Sequence, residues 1–405
     1  MDAVQRTVEA VARDSYGRLL AYLATRLRDV AAAEDALGDA FAAALTTWPR
    51  DGLPTAPEAW LLTTARHRLG ERWRHAQRTE AAREHVLELL TERAERAATG
   101  SPFADERLQL MFTCAHPAID AGVRTPLLLQ AVLGFDAATI ARAFLVSPTT
   151  MGQRLVRAKS KIRDAGIAFV VPEPHQLPER LETVLEVVYA VYGSGWEHAA
   201  GVDARGRGLA DEAIWLARVL AELLPDEPEA RGLLALVLHC EARRPARRAD
   251  DGSYVPLSAQ DPAKWHRPMG DEAETQLHAA ARRGRPGRFQ LEAAIQSVHA
   301  ERVHGGATDW RAITAIYDAL VQCAPTLGAM VGRAAAIGEA QGPAAGIASL
   351  DRIDATVVAG YQPYWATRAH LLQRLGDAAA CDAFDRAIGL AEDPAVRQFL
   401  VARRG

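Results

Sequence analysis

The stretch FDAATIARAFLVSPTTMGQRLVRAKSKIR, residues 135–163, indicates the fold of this chain most clearly. It is typical of two helices joined by a tight turn over residues 145–147. Ser147 is placed to cap the second helix, and Pro148 occupies the first helical position, where its missing N–H costs nothing. The apolar residues of the second helix recur at steps of four, three and four, which predicts one buried stripe. This stripe consists of Met151, Leu155, Ala158 and Ile162.

The other faces of the second predicted helix are polar and basic. No acidic residue lies between Asp136 and Asp164 to offset the cations. Charge of one sign beside a capped turn favours a helix-turn-helix whose second helix enters the major groove of DNA. An ordinary helical hairpin with a solvated basic face is the alternative that the residues leave open. The candidate DNA-binding residues are Arg142, Thr149, Thr150, Gln153, Arg154, Arg157, Lys159 and Lys161.

Length and composition limit the classes of protein to which this chain can belong. The chain has 405 residues, enough for two to four domains, and a net charge of only -4, so its positive charge is local. The four cysteines are far apart and form no CxxC pair, which argues against a disulfide framework or a zinc ribbon and favours a reducing cytoplasm. We find no apolar signal core at the N-terminus and no apolar run of about 18 residues, so we expect no membrane span.

Helical periodicity extends along nearly the whole chain, and no convincing alternating strand is present, so the sequence predicts an all-α fold. Helices are expected over residues 2–28, Ala31–Trp48 and Glu58–Arg78, with a proline-rich loop at Pro49–Pro57. The third helix interleaves basic residues with tryptophan, a pattern that suits phosphate contact with base stacking, although a solvated basic face would look similar. Its candidate nucleic-acid-binding residues are Trp60, Arg66, His67, Arg68, Arg72, Trp73 and Arg74.

The order of the segments predicts several domains. We expect a first helical module at residues 1–80, a charged linker at 81–103, a second module at 104–169, and a C-terminal helical array at 170–405. The last helical pair of the array, Tyr364–Asp393, has a pattern similar to a tetratricopeptide repeat. Such arrays usually serve as interaction surfaces. A loop-rich insertion is expected at about Arg243–Pro286, between the helical pairs.

Sequence signatures of enzymes are absent. The chain has no P-loop, no G-x-G-x-x-G after a strand and no G-x-S-x-G turn, and His299–His304 has the wrong order for a zinc-protease helix. We therefore expect no catalytic residues, no metal site and no cofactor.

With two small helical modules in this order, the first 165 residues resemble a bacterial RNA polymerase sigma factor of the extracytoplasmic-function group. The rest resembles the long tetratricopeptide-like extension of one subgroup. The matching stretches are AEDALGDAFAAAL (Ala33–Leu45), AWLLTTARHRLGERWR (Ala59–Arg74) and QRLVRAKSKIRDAGIAF (Gln153–Phe169).

The resemblance implies a dissociable promoter-recognition subunit rather than a catalyst. Its first module would bind the clamp helices of the largest polymerase subunit and read the −10 element as single strand, and its second module would read the −35 duplex. Gln153 and Arg154 would read bases, while Arg142, Arg157, Lys159 and Lys161 would mostly hold phosphate. The residues implied in binding core polymerase are Asp35, Leu37, Asp39 and Phe41.

Two other functions remain open from the sequence. A one-component regulator would combine the helix-turn-helix with a helical sensory domain, and a scaffold would use only the C-terminal array. The expected partners of the sigma-factor hypothesis are core polymerase, promoter DNA and a regulatory protein on the C-terminal array, with no membrane partner.

Overall fold

A computed structural model describes residues 3–76, 103–144, 146–173, 175–198 and 204–404. Within these ranges the regular structure is helical, apart from an isolated β-bridge between Arg248 and Tyr254. The predicted all-α fold is confirmed. Backbone proximity divides the chain into two compact units, Met1–Val187 and Val188–Gly405.

The first unit is built from α-helices on both sides of the gap at residues 77–102. They are α1 (Ala3–Leu27), α2 (Val30–Asp51), α3 (Pro57–Ala76), α4 (Phe103–Cys114), α5 (Ala121–Leu133), α6 (Ala137–Ala143), α7 (Pro148–Asp164) and the first half of α8 (Leu177–His198). The predicted linker at residues 81–103 lies almost entirely outside the described residues.

Helix α2 is longer than the sequence predicted. Asp29 caps its start by accepting a hydrogen bond from the Ala32 N–H at 3.1 Å, and the helix continues through Pro49 to Asp51. The prediction that residues 49–57 form a loop is therefore wrong for residues 49–51, and also for Pro57, which begins α3. Pro49 is exposed in the last turn of the helix. Its missing N–H leaves the carbonyl four residues earlier without a backbone partner, and water can bind that carbonyl instead.

Helix α1 lies at the centre of the first unit. Its Leu19 and Leu20 are fully buried, and it packs against α2 and α3 as well as α4 and α5. At Gly17 a Cβ atom would lie 1.8 Å from the Val132 carbonyl oxygen, so only glycine permits this approach of α1 to α5. Helices from the two predicted N-terminal modules therefore share one core. The division of this unit into a module at residues 1–80 and a second module at residues 104–169 stays a prediction.

Polar contacts accompany this packing. Arg26 on α1 forms an ion pair with Glu106 on α4 at 3.4 Å, and its guanidinium lies 3.4 Å from the centre of the Tyr22 ring. The buried Arg107 donates to the Val132 carbonyl at 3.5 Å. The ion pair of Arg26 with Glu106 joins helices on opposite sides of the gap, and the Arg107 hydrogen bond joins α4 to α5.

The second unit continues the helical architecture. Its α-helices after α8 are α9 (Ala204–Leu223), α10 (Pro228–Ala242), α11 (Arg267–Ala281), α12 (Arg288–Ala300), α13 (Trp310–Cys323), α14 (Leu327–Gln341), α15 (Pro343–Leu350), α16 (Ala355–Val358), α17 (Gln362–Leu375), α18 (Ala380–Leu390) and α19 (Pro394–Arg404). Helix α10 is buried along most of its length and packs against both α11 and α12. The resemblance of α17 and α18 to a tetratricopeptide pair stays a prediction.

A carboxylate from one helix caps another in this unit. Glu229 on α10 accepts hydrogen bonds from the backbone N–H groups of Phe289 at 2.8 Å and Gln290 at 3.1 Å. These groups belong to the first turn of α12, where a negative charge is favoured by the helix dipole. At Gly232, a Cβ atom would lie 2.7 Å from the Gln290 nitrogen, so glycine is needed for this approach.

The segment predicted as a loop-rich insertion contains a full helix. Helix α11 (Arg267–Ala281) is capped by His266, whose Nδ1 accepts from the Met269 N–H at 3.2 Å. The prediction of a loop was wrong from residue 267 to 281. The irregular part before it is held by Arg302, which donates to the carbonyls of Leu257 at 2.5 Å and Gln260 at 2.9 Å.

A buried histidine lies beside this anchor. His299 is only 9% exposed, and its ring packs edge to face on Trp310 with centroids 5.4 Å apart. Burial, together with the positive charges of Arg243 and Arg302, lowers the pKa of His299 to about 4. The imidazole is therefore neutral in the folded protein at pH 7.

This lowered pKa predicts that the second unit loses stability in acid. Between pH 6.5 and 4 the unfolded chain binds a proton that folded His299 does not, so the free energy of unfolding should fall by up to about 3 kcal/mol. His299→Phe should keep the packing on Trp310 and remove this loss. Urea unfolding at pH 7 and pH 4.5 measures it, with the exposed His278→Gln as the control. An unchanged acid sensitivity in His299→Phe would contradict the assignment.

Candidate nucleic-acid interface

Helix α7 begins as the sequence predicted. Ser147 has an extended backbone and its Oγ accepts from the Thr150 N–H at 3.1 Å, while Pro148 begins the helix. The predicted inward stripe is confirmed, because all four of its residues are buried: Met151, Leu155, Ala158 and Ile162. The cap and the stripe together fix which face of α7 is presented to solvent.

The opposite face of α7 carries most of the predicted DNA-binding residues. Within the described part of the chain, Arg154 and Arg157 form no ion pair, so their guanidinium groups are available to a ligand. Phe144, at the end of α6, is 37% exposed. The side chain of Arg142 lies outside the described residues. The exposed candidates are Thr149, Thr150, Gln153, Arg154, Arg157 and Lys161.

Lys159 does not lie on this exposed face. It is 7% exposed, and its Nζ donates to the Glu34 carboxylate on α2 and to Gln130 Oε1 on α5 at 3.1 Å. The expectation that Lys159 holds a DNA phosphate is not met in this arrangement. The reason is its position next to Ala158 in the inward stripe, where α7 meets α2 and α5.

The residues expected to bind polymerase lie on different faces of α2. Asp35 is exposed, and Asp39 and Phe41 are half-buried, with Phe41 stacked against Tyr16 at a centroid separation of 6.5 Å. Leu37 has no exposed surface, so it belongs to the core and cannot contact a partner in this arrangement. The family resemblance implied a contact at Leu37, but in this structure its side chain packs inside the unit.

Helix α3 places its candidates beside α2. Trp60 packs edge to face on the buried Trp48 at 5.4 Å, and Arg66 donates to the Tyr22 hydroxyl, so both are partly engaged in packing. His67 and Arg68 are exposed. The side chains of three further candidates lie outside the described residues, namely Arg72, Trp73 and Arg74.

A shallow groove runs between α2 and α3. Asp39 and Arg68 line it from the two helices, so a residue implied in polymerase binding and one implied in strand binding share a single surface. The smaller residues that complete its lining are Ala42, Ala43, Thr46 and Thr47. The groove is wide and shallow, which suits an extended chain better than a small molecule.

Two groups near the contact between α2 and α7 have raised pKa values. Burial raises the pKa of Glu34, and the charge of Lys159 partly lowers it again. Burial also raises the pKa of Cys114, which senses the charges of both Glu34 and Lys159.

Sequence reasoning missed Glu34 and Gln130 as the partners of Lys159. The signal for Gln130 was present, because it is the polar residue in the apolar run Leu127–Val132.

None of the described helices is long and apolar enough to cross a membrane.

Comparisons with known proteins assign a family to two segments. Residues 11–79, which include most of α1 and all of α2 and α3, match the family described as sigma-70 region 2. Residues 180–281 match a family of unknown function, DUF6596. An uncharacterized protein of Rhizobium meliloti (strain 1021) is 38% identical over 380 residues, covering 93% of this chain and 89% of the relative. No solved structure matches the chain.

Proposed function

The chain belongs to a family of sigma-factor-like proteins in which sigma-70 region 2 is followed by a long C-terminal extension, and we propose that it is an extracytoplasmic-function sigma factor. The observation that carries the proposal is the match of region 2 to residues 11–79. A promoter-recognition role with RNA polymerase follows from that region. The finer assignments below rest on the exposed faces of α2, α3 and α7.

We assign core binding to the exposed face of α2. Asp35 lies on this face, and Leu45, further along the same helix, is 49% exposed, so α2 presents both a carboxylate and an apolar side chain to solvent. Such a mixed surface suits a partner helix with basic and apolar residues. Glu34 and Leu37 are excluded from the direct contact, because both point into the unit.

We assign the −10 strand to the groove between α2 and α3 and to the exposed side of α3. Arg68 supplies positive charge there, and both Arg68 and His67 supply hydrogen-bond donors. Trp60 is half-buried and packs on Trp48, so its ring is held in place while part of it remains accessible to a base.

We assign the −35 duplex to α7. Thr149 and Thr150 lie in its first turn, and Gln153 and Arg154 follow one turn later on the exposed face. The N-terminal residues of a recognition helix are those that reach base edges, and a capped N-terminus also favours phosphate. Arg157 and Lys161 lie further along the same face, where they would contact the phosphate backbone of the DNA.

We further propose that the second unit regulates the activity or the polymerase affinity of the first. The support is its size, since residues 188–405 form a separate unit with its own core and no enzyme signature. Helical arrays of this kind present large surfaces to partners.

The core-binding assignment predicts a selective loss in Asp35→Arg. Affinity for core polymerase should fall about ten-fold or more, because a like charge would face a basic partner. Asp51→Arg, an exposed acid at the end of the same helix, is the matched control and should keep wild-type affinity. Pull-down and run-off transcription with core polymerase measure both variants. Wild-type protein that never raises initiation above core alone would refute the proposed function.

The −35 assignment predicts different losses for two neighbouring arginines. Arg154→Ala should cost about 1–3 kcal/mol of discrimination at one base position. Arg157→Ala should weaken binding to all sequences alike. It should also reduce the slope of log binding constant against log salt concentration by about one. Binding to a library of −35 duplexes at two salt concentrations separates the effects. Equal, sequence-independent losses in both variants would contradict base reading by Arg154.

The regulatory role predicts that promoter output changes when the second unit is removed. A chain that stops after His198 keeps the whole of α8 with the first unit, whose compact part extends to Val187. Run-off transcription with this shortened chain should differ several-fold from that of the full chain. Equal output at equal core occupancy would count against regulation by the second unit.

A further inference from the structure

A cavity in the second unit is lined mainly by arginine. It has a volume of about 300 Å³ and lies between the first turn of α10 and the last turn of α11. Two of its cations belong to the run ARRGRPGR, residues 281–288, which carries four arginines in eight positions. The cavity belongs to a different unit from the helices assigned to polymerase and DNA. Three of the four lining residues are cations and none is acidic, namely Arg231, Ala279, Arg282 and Arg283.

Two guanidinium groups converge on one backbone oxygen beside the cavity. Arg231 and Arg283 both donate to the carbonyl of Pro225, at 3.4 Å and 3.2 Å. Gln276 on α11 also holds Arg231, accepting from its Nη1 at 2.7 Å. Because like charges repel, this placement costs free energy that a bound anion would recover.

The carboxylates near these arginines lie outside the lining of the cavity. Asp226 contacts Arg283 at 2.8 Å, although the side chain of Asp226 is 79% exposed. Glu227 contacts Arg285 at 3.8 Å. Among the described residues Arg282 forms no ion pair, and it is exposed. Exposed ion pairs contribute little to stability, so an external anion can compete with Asp226 for Arg283.

The chemistry of the cavity favours a phosphate group. Guanidinium groups form paired hydrogen bonds to phosphate oxygens, and three of them suit a dianion better than a single carboxylate. The end of α11 carries about half a negative charge, which opposes an anion but is outweighed by three full positive charges. Ala279 adds a small apolar surface for the organic part of a phosphate ester. A long polyanion such as DNA would meet the carboxylates of Asp226 and Glu227, so a compact ligand fits better.

We propose that this arginine cavity binds the phosphate group of a small molecule. The site lies against α10, which is buried along most of its length and packs on α11 and α12, so a bound ligand would stabilise the second unit. Binding itself is independent of the sigma-factor role. The use of the ligand as a signal rests on the regulatory role proposed for the second unit.

Isothermal titration calorimetry of the full chain with inorganic phosphate tests the site. Wild-type protein should bind phosphate saturably, with a Kd of about 1 mM or lower. Arg282→Gln should weaken binding about ten-fold, because it removes a charged hydrogen-bond donor. Arg311→Gln removes an equal charge from an exposed position on α13 and, as the matched control, should keep wild-type affinity. Equal affinity in the two variants, or no saturable binding by wild-type protein, would overturn the proposal.

Asp226→Asn gives a prediction of the opposite sign. Removing the carboxylate that competes for Arg283 should tighten phosphate binding several-fold, a gain that damage to the fold would not produce. Circular dichroism checks that this variant keeps the helical content of wild type. Unchanged or weaker binding by the folded variant would count against the cavity as the site.

Further titrations identify the class of ligand. Glycerol phosphate should bind at least as tightly as inorganic phosphate, because Ala279 can contact its glycerol part, and acetate should bind at least about ten-fold more weakly. Equal affinity for acetate, or exclusion of the ester, would overturn the assignment to a phosphate compound.

A titration with duplex DNA separates a small ligand from the DNA backbone. The full chain and its Arg282→Gln variant should bind duplex DNA equally, and a loss in the variant would overturn the assignment to a small molecule. The phosphate titrations contain neither polymerase nor promoter, so their failure leaves the sigma-factor role standing. Failure to initiate transcription likewise leaves the binding site standing.

Discussion

The close approach of α1 to α5 is the constraint on which the first unit depends. At Gly17 the backbone of α1 meets the Val132 carbonyl at a distance that no side chain would permit. This contact joins the segment that matches sigma-70 region 2 to the helices that precede α7. In the same unit α2 packs beside α7, and the charged side chains Glu34 and Lys159 are paired where the two helices meet.

The pairing of Lys159 with Glu34 is a consequence of this packing. An unpaired ammonium group in such a place would cost several kcal/mol, so a carboxylate and an amide oxygen surround it. The two charges are remote in sequence, separated by 125 positions, yet they lie on the two helices to which the proposed function assigns polymerase and DNA.

Local features of the fold could be predicted from the sequence, and features that depend on distant partners could not. The cap at Ser147 and the buried stripe of α7 were predictable because both are set by residues within one helix. The burial of Lys159 depends on α2 and α5, which the periodicity of α7 does not encode. For Leu37, periodicity predicted an apolar face but could not distinguish a core from an interface.

Two errors have a local cause. Pro49 was taken as the start of a loop, although an exposed proline in the last turn of a helix leaves only a solvated carbonyl unpaired. Helix α11 was missed because Met269 and Leu277 are its only large apolar residues and its cap is His266 rather than serine, threonine or aspartate. In the candidate site, the exposed residues of α7 were predictable from charge and spacing, whereas the groove shared by Asp39 and Arg68 requires the packing of α2 on α3.

The central claim is that this chain directs core polymerase to open a promoter. Permanganate modification of unpaired thymines on a promoter mapped for this protein tests it most directly. We predict reactive thymines at the −10 element when core polymerase and the full chain are both present, and none when either is omitted. Duplex binding by the chain alone, with no reactive thymines after core polymerase is added, would contradict the claim and identify a conventional DNA-binding regulator.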